Sequence, residues 1–320
     1  MSAMVDAAFM RKTLTGSSFE MTYGGALSFM RRNYTKDLTN VDIAISGIPF
    51  DSAVTYRSGA RLGPRAIREA SVQVAELLPY PWGFDPFEIL SVIDYGDCML
   101  DPHNPMTIKP TIIAHIDNLL NHNVFPLTFG GDHYITYPIL CAFAKKYGKG
   151  ISVIHFDAHC DTWADNNEDS INHGTMFYKA IKNGIVDPQK SVQVGIRTWN
   201  DDFMGTNILD AQWVHDNGWQ KTLDEIKKTV GNNPTYLTFD IDSLDPAFAP
   251  GTGTPVPGGL FTSQVLPIIR NLQDVNIIGA DVVEVAPCYD HAEITALAAA
   301  HIARDIIALM ADKKRVQIHE

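Results

Sequence analysis

Three short segments of the chain concentrate side chains that bind divalent metal ions. Residues 130–133 (GGDH) contain one imidazole, residues 157–161 (DAHCD) contain a second with two carboxylates, and residues 240–242 (DID) contain two more carboxylates. Alternate residues of extended backbone lie on one side of the chain, so the ligands within a segment point together. We therefore predict a site for two metal ions. Its candidate ligands are His133, Asp157, His159, Asp161, Asp240 and Asp242.

The elements that must position these ligands lie just before each segment. Continuous runs of apolar and β-branched residues occupy positions 124–129, 151–156 and 236–239. Runs of this length are typical of strands buried on both faces of a parallel sheet. Because ligands of open α/β sheets bind outside the carboxyl ends of the strands, the three segments are predicted to converge there.

The ligand types indicate both the metal and the chemistry. Any one segment alone is explained by aspartates that cap a loop and by a hydrogen-bonded histidine. Four carboxylates brought together, however, cannot all stay ionised without a counter-charge, which two metal ions supply. The carboxylates, without an organised thiolate, favour Mn²⁺ over a structural zinc site. Two such ions about 3.5–4 Å apart can activate a shared water for hydrolysis, and the remaining negative charge suits a cationic substrate.

Two further residues could complete a hydrolytic site. Glu284 follows an apolar run at 277–283, and its planar carboxylate could hold a guanidinium through paired hydrogen bonds or form a salt bridge to an arginine. His173 precedes a predicted helix and could protonate a leaving amine or cap that helix. Cys160, between two ligands, should point away from them. His155, inside a strand, is interpreted as a packed core residue.

The rest of the chain alternates strands and helices. This alternation predicts an α/β fold of three layers (α/β/α), with a predominantly parallel sheet and helices on both faces. Residues 1–40 are predicted to form an irregular, peripheral or intersubunit segment, and residues 41–320 one catalytic domain. Strands are predicted at 41–48, 89–95, 124–129, 151–156, 191–196, 236–239 and 275–283, and helices at 65–78, 110–122, 135–147, 175–183, 223–230, 263–272 and 294–310.

Composition narrows the class of protein. With 45% apolar and 19% charged residues, the chain of 320 residues is predicted to be globular and soluble. Its net charge of −12 disfavours a nucleic-acid partner, which would call for a basic face. No apolar run of bilayer length and no signal-peptide pattern is evident, so we expect a cytoplasmic protein without a membrane partner. The four cysteines lack the spacing of a disulfide framework or a zinc site.

The motifs GGDH, DAHCD, HGTMF, FDIDSLDPAFAPGTGTP and DVVEVAP, in this order, resemble the ureohydrolase family. That family includes arginases, agmatinases, guanidinobutyrases and formiminoglutamases, and the resemblance extends from Val41 to the C-terminal helix. It implies an arginase-like fold, two Mn²⁺ ions per subunit, and hydrolysis of a guanidino group to urea and an amine. It also implies a homo-oligomer, either a trimer or a hexamer.

The resemblance implies a role for each candidate residue. His173 matches the proton shuttle of the family and Glu284 the glutamate that binds the guanidinium. Asp157 and Asp240 would bridge the two ions. One ion would be held by His133, Asp157, Asp161 and Asp240, and the other by Asp157, His159, Asp240 and Asp242.

The choice of substrate depends on the residues that contact its tail, which is the end of the molecule opposite the guanidino group. Family members that act on guanidino acids commonly have an asparagine where this chain has Trp163, and an aromatic residue there resembles agmatinases. Asn172 is a departure, because agmatinases often have an aspartate before the HG pair. We predict hydrolysis of agmatine to putrescine and urea, with Trp163 and Asn172 in the substrate site. 4-Guanidinobutyrate and 3-guanidinopropionate are alternatives, for which Arg57 could receive the carboxylate.

Three other classes fit the motifs less well. A binuclear phosphoesterase would need a later Asn-His-Glu/Asp motif, which the sequence lacks. A catalytically silent regulatory relative would be expected to have lost His173 or Glu284. A single-zinc deacetylase would not need the complete second set of ligands.

Overall fold

The computed structural model describes residues 6–10, 13–16 and 21–319. Residues 1–5, 11–12 and 17–20, which belong to the segment predicted to be peripheral, lie outside the described residues. In the described part, nine strands form one sheet in which every paired strand is parallel. The strands are β1 (Asn33–Tyr34), β2 (Ile43–Ile48), β3 (Val92–Asp97), β4 (Phe125–Gly130), β5 (Ser152–Phe156), β6 (Val192–Val194), β7 (Asn207–Leu209), β8 (Thr235–Asp240) and β9 (Ile277–Val283).

The strand order brings the predicted ligand segments together. From one edge to the other, the order is β1-β3-β2-β4-β9-β8-β5-β6-β7, so β4, β9, β8 and β5 are consecutive neighbours. The candidate ligands lie at or directly after the ends of β4, β5 and β8, and Glu284 follows β9 directly. Because these strands are parallel, their carboxyl ends open on the same edge of the sheet.

Helices cover both faces of the sheet. They are α1 (Ala7–Met10), α2 (Gly63–Ser71), α3 (Pro105–Asn121), α4 (Thr136–Tyr147), α5 (Met176–Lys182), α6 (Ala211–Val230), α7 (Thr262–Arg270) and α8 (Ile294–His319). One apolar cluster joins Leu237 of β8 to residues of α2, α6, α7 and α8. The other joins its strand neighbour Tyr236 to residues of α3, α4 and α5. Since adjacent residues of a strand point to opposite faces, the two clusters are the two sides of the sheet, and the predicted α/β/α architecture is confirmed.

The boundaries of several elements differ from their predictions. Helix α3 begins at Pro105 and contains Pro110, although the prediction placed the first turn at Pro110. Helix α6 is longer than predicted, and Gly218 (φ 77°) introduces a kink that hides its regular spacing. Strands β1 and β7 were not predicted because two or three residues are too few to form an apolar pattern. Strand β1 pairs with β3, and Phe29 just before it is fully buried, so part of the predicted peripheral segment enters the core.

Helix α8 is long and apolar enough on average to cross a bilayer, although His301, Arg304 and Asp305 interrupt its apolar residues. Residues 294–317 are long enough to cross a bilayer, and the most apolar window of 18 residues within them has a mean hydropathy of 1.6. However, 72% of the most apolar window is buried against the rest of the protein. The apolar character of α8 is therefore explained by its position in the core.

Candidate metal centre

The first group of candidate ligands surrounds His133. Its Nδ1 lies 3.0 Å from Asp157 Oδ2, 3.2 Å from Asp161 Oδ2 and 3.1 Å from Asp240 Oδ2. All four side chains are buried. His133 follows β4, Asp157 and Asp161 follow β5, and Asp240 is the last residue of β8, so three strand ends contribute to one site.

The second group shares Asp157 with the first. His159 Nδ1 lies 3.3 Å from Asp157 Oδ1 and 3.2 Å from Asp242 Oδ2. The two oxygen atoms of Asp157 therefore face different groups. Asp240 turns its Oδ1 to the backbone N–H of Asp242 at 2.8 Å. The structure thus brings all six predicted ligands together in two adjoining groups.

Unusual backbone conformations hold this arrangement. Asp161 has a φ of 53°, a left-handed conformation that aspartate adopts more readily than most residues. Glu284 has a φ of 63°, and its backbone N–H donates to the Gly131 carbonyl at 2.8 Å. A Cβ on Gly131 would lie 2.3 Å from the Phe50 carbonyl oxygen, so this position of GGDH requires glycine. Strained residues of this kind gather at functional sites because the surrounding structure must enforce them.

Burial and crowding shift the ionisation of these groups. Burial raises the pKa of Asp240 well above its ordinary value, and the nearby Asp242 and Asp157 carboxylates add to the effect. Burial also opposes ionisation of Asp157, but the surrounding histidines hold its pKa well below the usual range. Although burial disfavours its charged form, His159 has a pKa raised to about 12 by Asp242 and Asp157. The centre is therefore an acidic cluster that lacks enough positive charge of its own.

A pair of divalent ions fits this donor set. His133 Nδ1 is buried close to three carboxylates, yet none of these contacts has the geometry of a hydrogen bond. A buried ring nitrogen that has no hydrogen-bond partner and lies beside three carboxylates is suited to binding a cation, and the oxygen-rich surroundings suit a hard one. Two groups of side chains could each hold an ion: His133, His155, Asp157 and Asp161, and Asp157, His159 and Asp242.

His155 is buried inside its strand and packs against Phe177, as predicted. It has a further contact that the sequence analysis did not predict, because its Nε2 lies 2.7 Å from Asp157 Oδ2. The signal that could have identified it is its position two residues before Asp157, on the same face of extended backbone. Cys160 lies outside both groups, and its thiol contacts Thr162 Oγ1 and Asn200 Nδ2, each at 3.3 Å.

Glu284 and His173 lie together beside the metal ligands. His173 Nδ1 is 2.9 Å from Glu284 Oε1, and His133 donates its backbone N–H to the same oxygen at 2.9 Å. Glu284 Oε2 is buried without a hydrogen-bond partner. The ion-pair partner of Glu284 is thus a histidine rather than an arginine. Burial opposes the charged form of His173, but the hydrogen bond and the negative charge of Glu284 raise its pKa to about 9.

A cavity of about 280 Å³ lies beside the candidate metal ligands, and Glu284 is not among the residues that line it. His173, Trp163 and Asn172 line it, together with the metal-facing carboxylates of Asp161 and Asp240. Asn172 Oδ1 accepts the Gly174 N–H at 2.8 Å, which fixes the side chain at the cavity wall. Among the described residues that line the cavity, none is a lysine or arginine.

The polar wall of the cavity also includes a residue that the sequence did not indicate. Thr55, in the loop after β2, donates its backbone N–H to His173 Nε2 at 3.3 Å, and its hydroxyl lies 3.0 Å from the same nitrogen. Arg57, proposed as a receptor for a carboxylate, does not line the cavity. Its guanidinium lies over the rings of Tyr56 and Tyr289, 5.3 and 5.1 Å from their centroids.

A second residue that the sequence did not indicate holds the loop that contains Asp242. The guanidinium of Arg197 donates to the backbone carbonyls of Asp242 at 2.6 Å and Val256 at 2.7 Å. It also donates to the Gly195 carbonyl at 3.0 Å. No local sequence signal distinguishes such an arginine, because its partners are backbone atoms far along the chain.

Comparison with known proteins agrees with this geometry. The sequence model of the arginase family matches residues 41–309 of this chain. An agmatinase from Chromobacterium violaceum is 68% identical over 97% of this chain and 96% of its own length. A crystal structure described as a hypothetical agmatinase from Burkholderia thailandensis has a TM-score of 0.96 and 64% identity, covering 97% of this chain and 98% of that one. The structure of the proclavaminate amidino hydrolase of Streptomyces clavuligerus has a TM-score of 0.86 and 36% identity, covering 91% of this chain and 99% of that one.

The chain belongs to the arginase family. The predicted resemblance to ureohydrolases and the predicted enzyme class, a metal-dependent amidinohydrolase, are confirmed. Enzymes of this family use a binuclear metal centre, and the adjoining His/Asp groups described above could hold one.

Proposed function

We propose that this protein hydrolyses agmatine to putrescine and urea at a pair of Mn²⁺ ions. The observation that carries the proposal is an acidic cavity lined by His173 and by the Asp161 and Asp240 carboxylates. The buried carboxylate of Glu284, whose Oε2 has no hydrogen-bond partner, contacts His173 at the edge of this cavity. A cavity without lysine or arginine in its lining favours a substrate with two cationic ends over a guanidino acid. The agmatinases among the relatives support the same choice.

Six side chains would hold the ions. When bound, the two ions supply Lewis acidity that activates water and polarises the electrophile. Asp157 presents one oxygen to each group, which supports its proposed role as a bridging ligand. Asp240 is proposed as the second bridge. The first ion would be held by His133, Asp157, Asp161 and Asp240, and the second by Asp157, His159, Asp240 and Asp242.

Glu284 would bind and orient the guanidinium. One of its oxygens is already occupied by His173 and by the His133 backbone, which fixes the plane of the carboxylate. The other oxygen, Oε2, is buried without a hydrogen-bond partner, and it would accept a hydrogen bond from a guanidinium that passes beyond the cavity lining to reach it. Charge-assisted hydrogen bonds to a planar guanidinium have a defined direction, so this contact would place the guanidino carbon next to the metal ligands.

His173 would deliver the proton that the departing amine needs. It lines the cavity, and the Glu284 carboxylate 2.9 Å away raises its pKa to about 9, which favours proton donation near neutral pH. A proton donor in this position lowers the barrier for breaking the carbon–nitrogen bond because an uncharged amine leaves more readily than an amide anion.

Trp163 and Asn172 would contact the tail of the substrate. The face of an indole attracts an ammonium group, and an amide can accept hydrogen bonds from it or donate to neighbouring water. We further propose that residues 41–320 act as one catalytic domain in a cytoplasmic homo-oligomer, a trimer or hexamer, without membrane or nucleic-acid partners. Light scattering after size-exclusion chromatography tests the oligomeric state.

The central experiment is urea release from Mn²⁺-loaded protein. Agmatine, arginine, 4-guanidinobutyrate, 3-guanidinopropionate and guanidine would be compared by kcat/KM. Agmatine is expected to be the best substrate, and a higher value for any other compound contradicts the specific assignment while leaving the enzyme class intact. Release of urea from none of them would favour a catalytically silent relative. Asp157→Asn and Asp240→Asn should abolish turnover, and turnover retained by either contradicts the proposed ligand set.

A further inference from the structure

We propose that Asp281, acting through Thr238, is a positioning residue that fixes which nitrogen of His133 is free to bind metal. This inference rests on the proposed metal centre, but the residues concerned lie behind it. Neither Asp281 nor Thr238 lines the substrate cavity, and neither belongs to the groups of candidate ligands.

Asp281 is a buried carboxylate in the middle of the sheet. It lies in β9 with no exposed surface, and among the described residues no lysine or arginine forms an ion pair with it. Three hydroxyl groups converge on it instead. Thr136 Oγ1 donates to Oδ2 at 2.8 Å, Tyr236 Oη donates to Oδ2 at 2.9 Å, and Thr238 Oγ1 contacts Oδ1 at 2.5 Å. Burying a carboxylate without a counter-charge is unfavourable, so the presence of Asp281 at this buried position calls for a functional explanation.

The hydrogen bonds form a chain with one direction. Thr238 lies on β8 between Asp281 and His133, and its Oγ1 is 2.9 Å from His133 Nε2. A hydroxyl has a single proton, and the Asp281 carboxylate accepts from all three hydroxyls, including that of Thr238. The Thr238 proton therefore goes to Asp281, and Thr238 Oγ1 must accept a proton from His133 Nε2.

The direction of this chain decides how His133 meets the metal centre. With the proton held on Nε2, the lone pair of neutral His133 is on Nδ1. Nδ1 is the nitrogen that faces Asp157, Asp161 and Asp240 and that makes no hydrogen bond. Fixing the tautomer through a partner on the other ring nitrogen strengthens a histidine ligand and prevents the ring from turning.

Four substitutions separate this role from simple packing. Thr238→Val keeps the shape of the side chain and removes the hydroxyl, whereas Thr238→Ser keeps the hydroxyl. Asp281→Asn replaces an acceptor by a donor: because two hydroxyls donate to Oδ2, the amide oxygen should stay there and the amide nitrogen should face Thr238. Thr238 would then have to donate its proton to His133 Nε2, which reverses the direction of the hydrogen bonds. Tyr236→Phe, the control, removes a donor to Asp281 but leaves the Thr238 link.

The test is Mn²⁺ binding to metal-free protein, measured by isothermal titration calorimetry and by the electron paramagnetic resonance of free Mn²⁺. The parent protein is expected to bind two ions. In Thr238→Val and Asp281→Asn, one of the two should bind about 10- to 100-fold more weakly. Thr238→Ser and Tyr236→Phe should bind as the parent does. Excess Mn²⁺ should restore turnover of the weakened variants, which a general loss of folding would not allow.

Three outcomes contradict the inference. Parental affinity for both ions in folded Thr238→Val means that the link does not position His133. Binding by Thr238→Ser as weak as that by Thr238→Val means that the hydroxyl is not the cause. If Asp281→Asn binds both Mn²⁺ ions with the parental affinity, Asp281 does not take part in the chain of hydrogen bonds that orients His133. If Thr238→Val does not fold, Thr238→Ala makes the same comparison with Thr238→Ser. A parent protein that binds fewer than two ions contradicts the proposed metal centre itself, which is a separate result.

Discussion

His155 donates its Nε2–H to Asp157 Oδ2 across 2.7 Å, inside the sheet and behind the metal ligands. Gln193 fixes this direction, because its amide nitrogen contacts His155 Nδ1 at 3.2 Å and donates to the Cys160 carbonyl at 2.8 Å. The neutral imidazole therefore has its proton on Nε2. A strand residue that looks like packing thus orients the carboxylate shared by both metal groups.

Removing this donor should weaken the metal centre. His155→Leu replaces the imidazole by an apolar side chain of similar volume and leaves one oxygen of Asp157 without its hydrogen bond. We expect Mn²⁺ affinity to fall about 10- to 100-fold, as is usual when the partner of a metal ligand is lost. His155→Gln, whose amide can donate from nearly the same place, should recover part of the loss. Equal affinities of the two variants, measured by calorimetry, would show that the hydrogen bond is unimportant.

Arg197 should stabilise the loop that contains Asp242. Its guanidinium offers five N–H donors in a fixed plane, and in this structure they reach several backbone carbonyls of the loop. Arg197→Lys keeps the charge but has only three donors, so buried carbonyls lose partners. We expect a loss of about 1–3 kcal/mol in the free energy of unfolding, measured in urea. The matched change at exposed Arg65 should have no measurable effect, and equal results for the two would contradict this role.

Removal of metal should destabilise the fold. Without the ions, several buried carboxylates of the centre lie close together, and the nearby histidines relieve only part of their mutual repulsion. Protein treated with a chelator should therefore unfold at a lower temperature, and added Mn²⁺ should restore the melting temperature. At a free metal concentration of 100 Kd, each site contributes about 2.7 kcal/mol. In Asp157→Asn, added Mn²⁺ should raise the melting temperature much less; a full rise would place the stabilising ions elsewhere.

His115 should make stability depend on pH below neutrality. Burial, with a contribution from Lys36, lowers the pKa of His115 from 6.5 to about 4, and its Nε2 is buried without a partner. The unfolded chain takes up a proton below pH 6.5 that the folded protein takes up only near pH 4. The contribution to stability is thus complete above pH 6.5 and is lost as the pH falls through this window, by about 2 kcal/mol between pH 6.5 and 5.

Urea unfolding at pH 6.5 and pH 5 measures this effect. His115→Phe should lose less stability over this interval than the parent protein does. The same comparison for His122→Gln, an exposed residue just after helix α3, should match the parent. An unchanged pH dependence in His115→Phe would assign the effect to other groups.

Trp163 should bind the tail of agmatine through its indole face. A cation–π contact contributes about 0.5–2 kcal/mol, so Trp163→Ala should raise KM for agmatine about 3- to 30-fold with a smaller change in kcat. Trp163→Phe should keep most of the affinity. Trp199→Ala, at a residue that is 79% exposed and outside the cavity, is the control. If KM in Trp163→Ala equals that of the control, the tail binds elsewhere.

Much of the site could be predicted from short segments of sequence. Each ligand segment follows a continuous apolar run, and a parallel sheet places the ends of such strands on one edge. Within a segment, the alternation of extended backbone fixes which side chains point together. For this reason the proximity of His133, Asp157 and Asp240 could be predicted without coordinates. The alternation of strands and helices predicted the α/β/α layers in the same way.

Only the tertiary structure decided the contacts behind and around the ligands. The positions of Asp281 beside Thr238, of Gln193 beside His155, and of Thr55 beside His173 depend on strand order and on loops distant in sequence. Helix α6 and the short strands β1 and β7 likewise owe their extent to packing against neighbours. The sequence by itself determined the ligand types and their strand ends, because those follow from local patterns. Their hydrogen-bond partners are non-local, and no local pattern encodes which strand lies next to which.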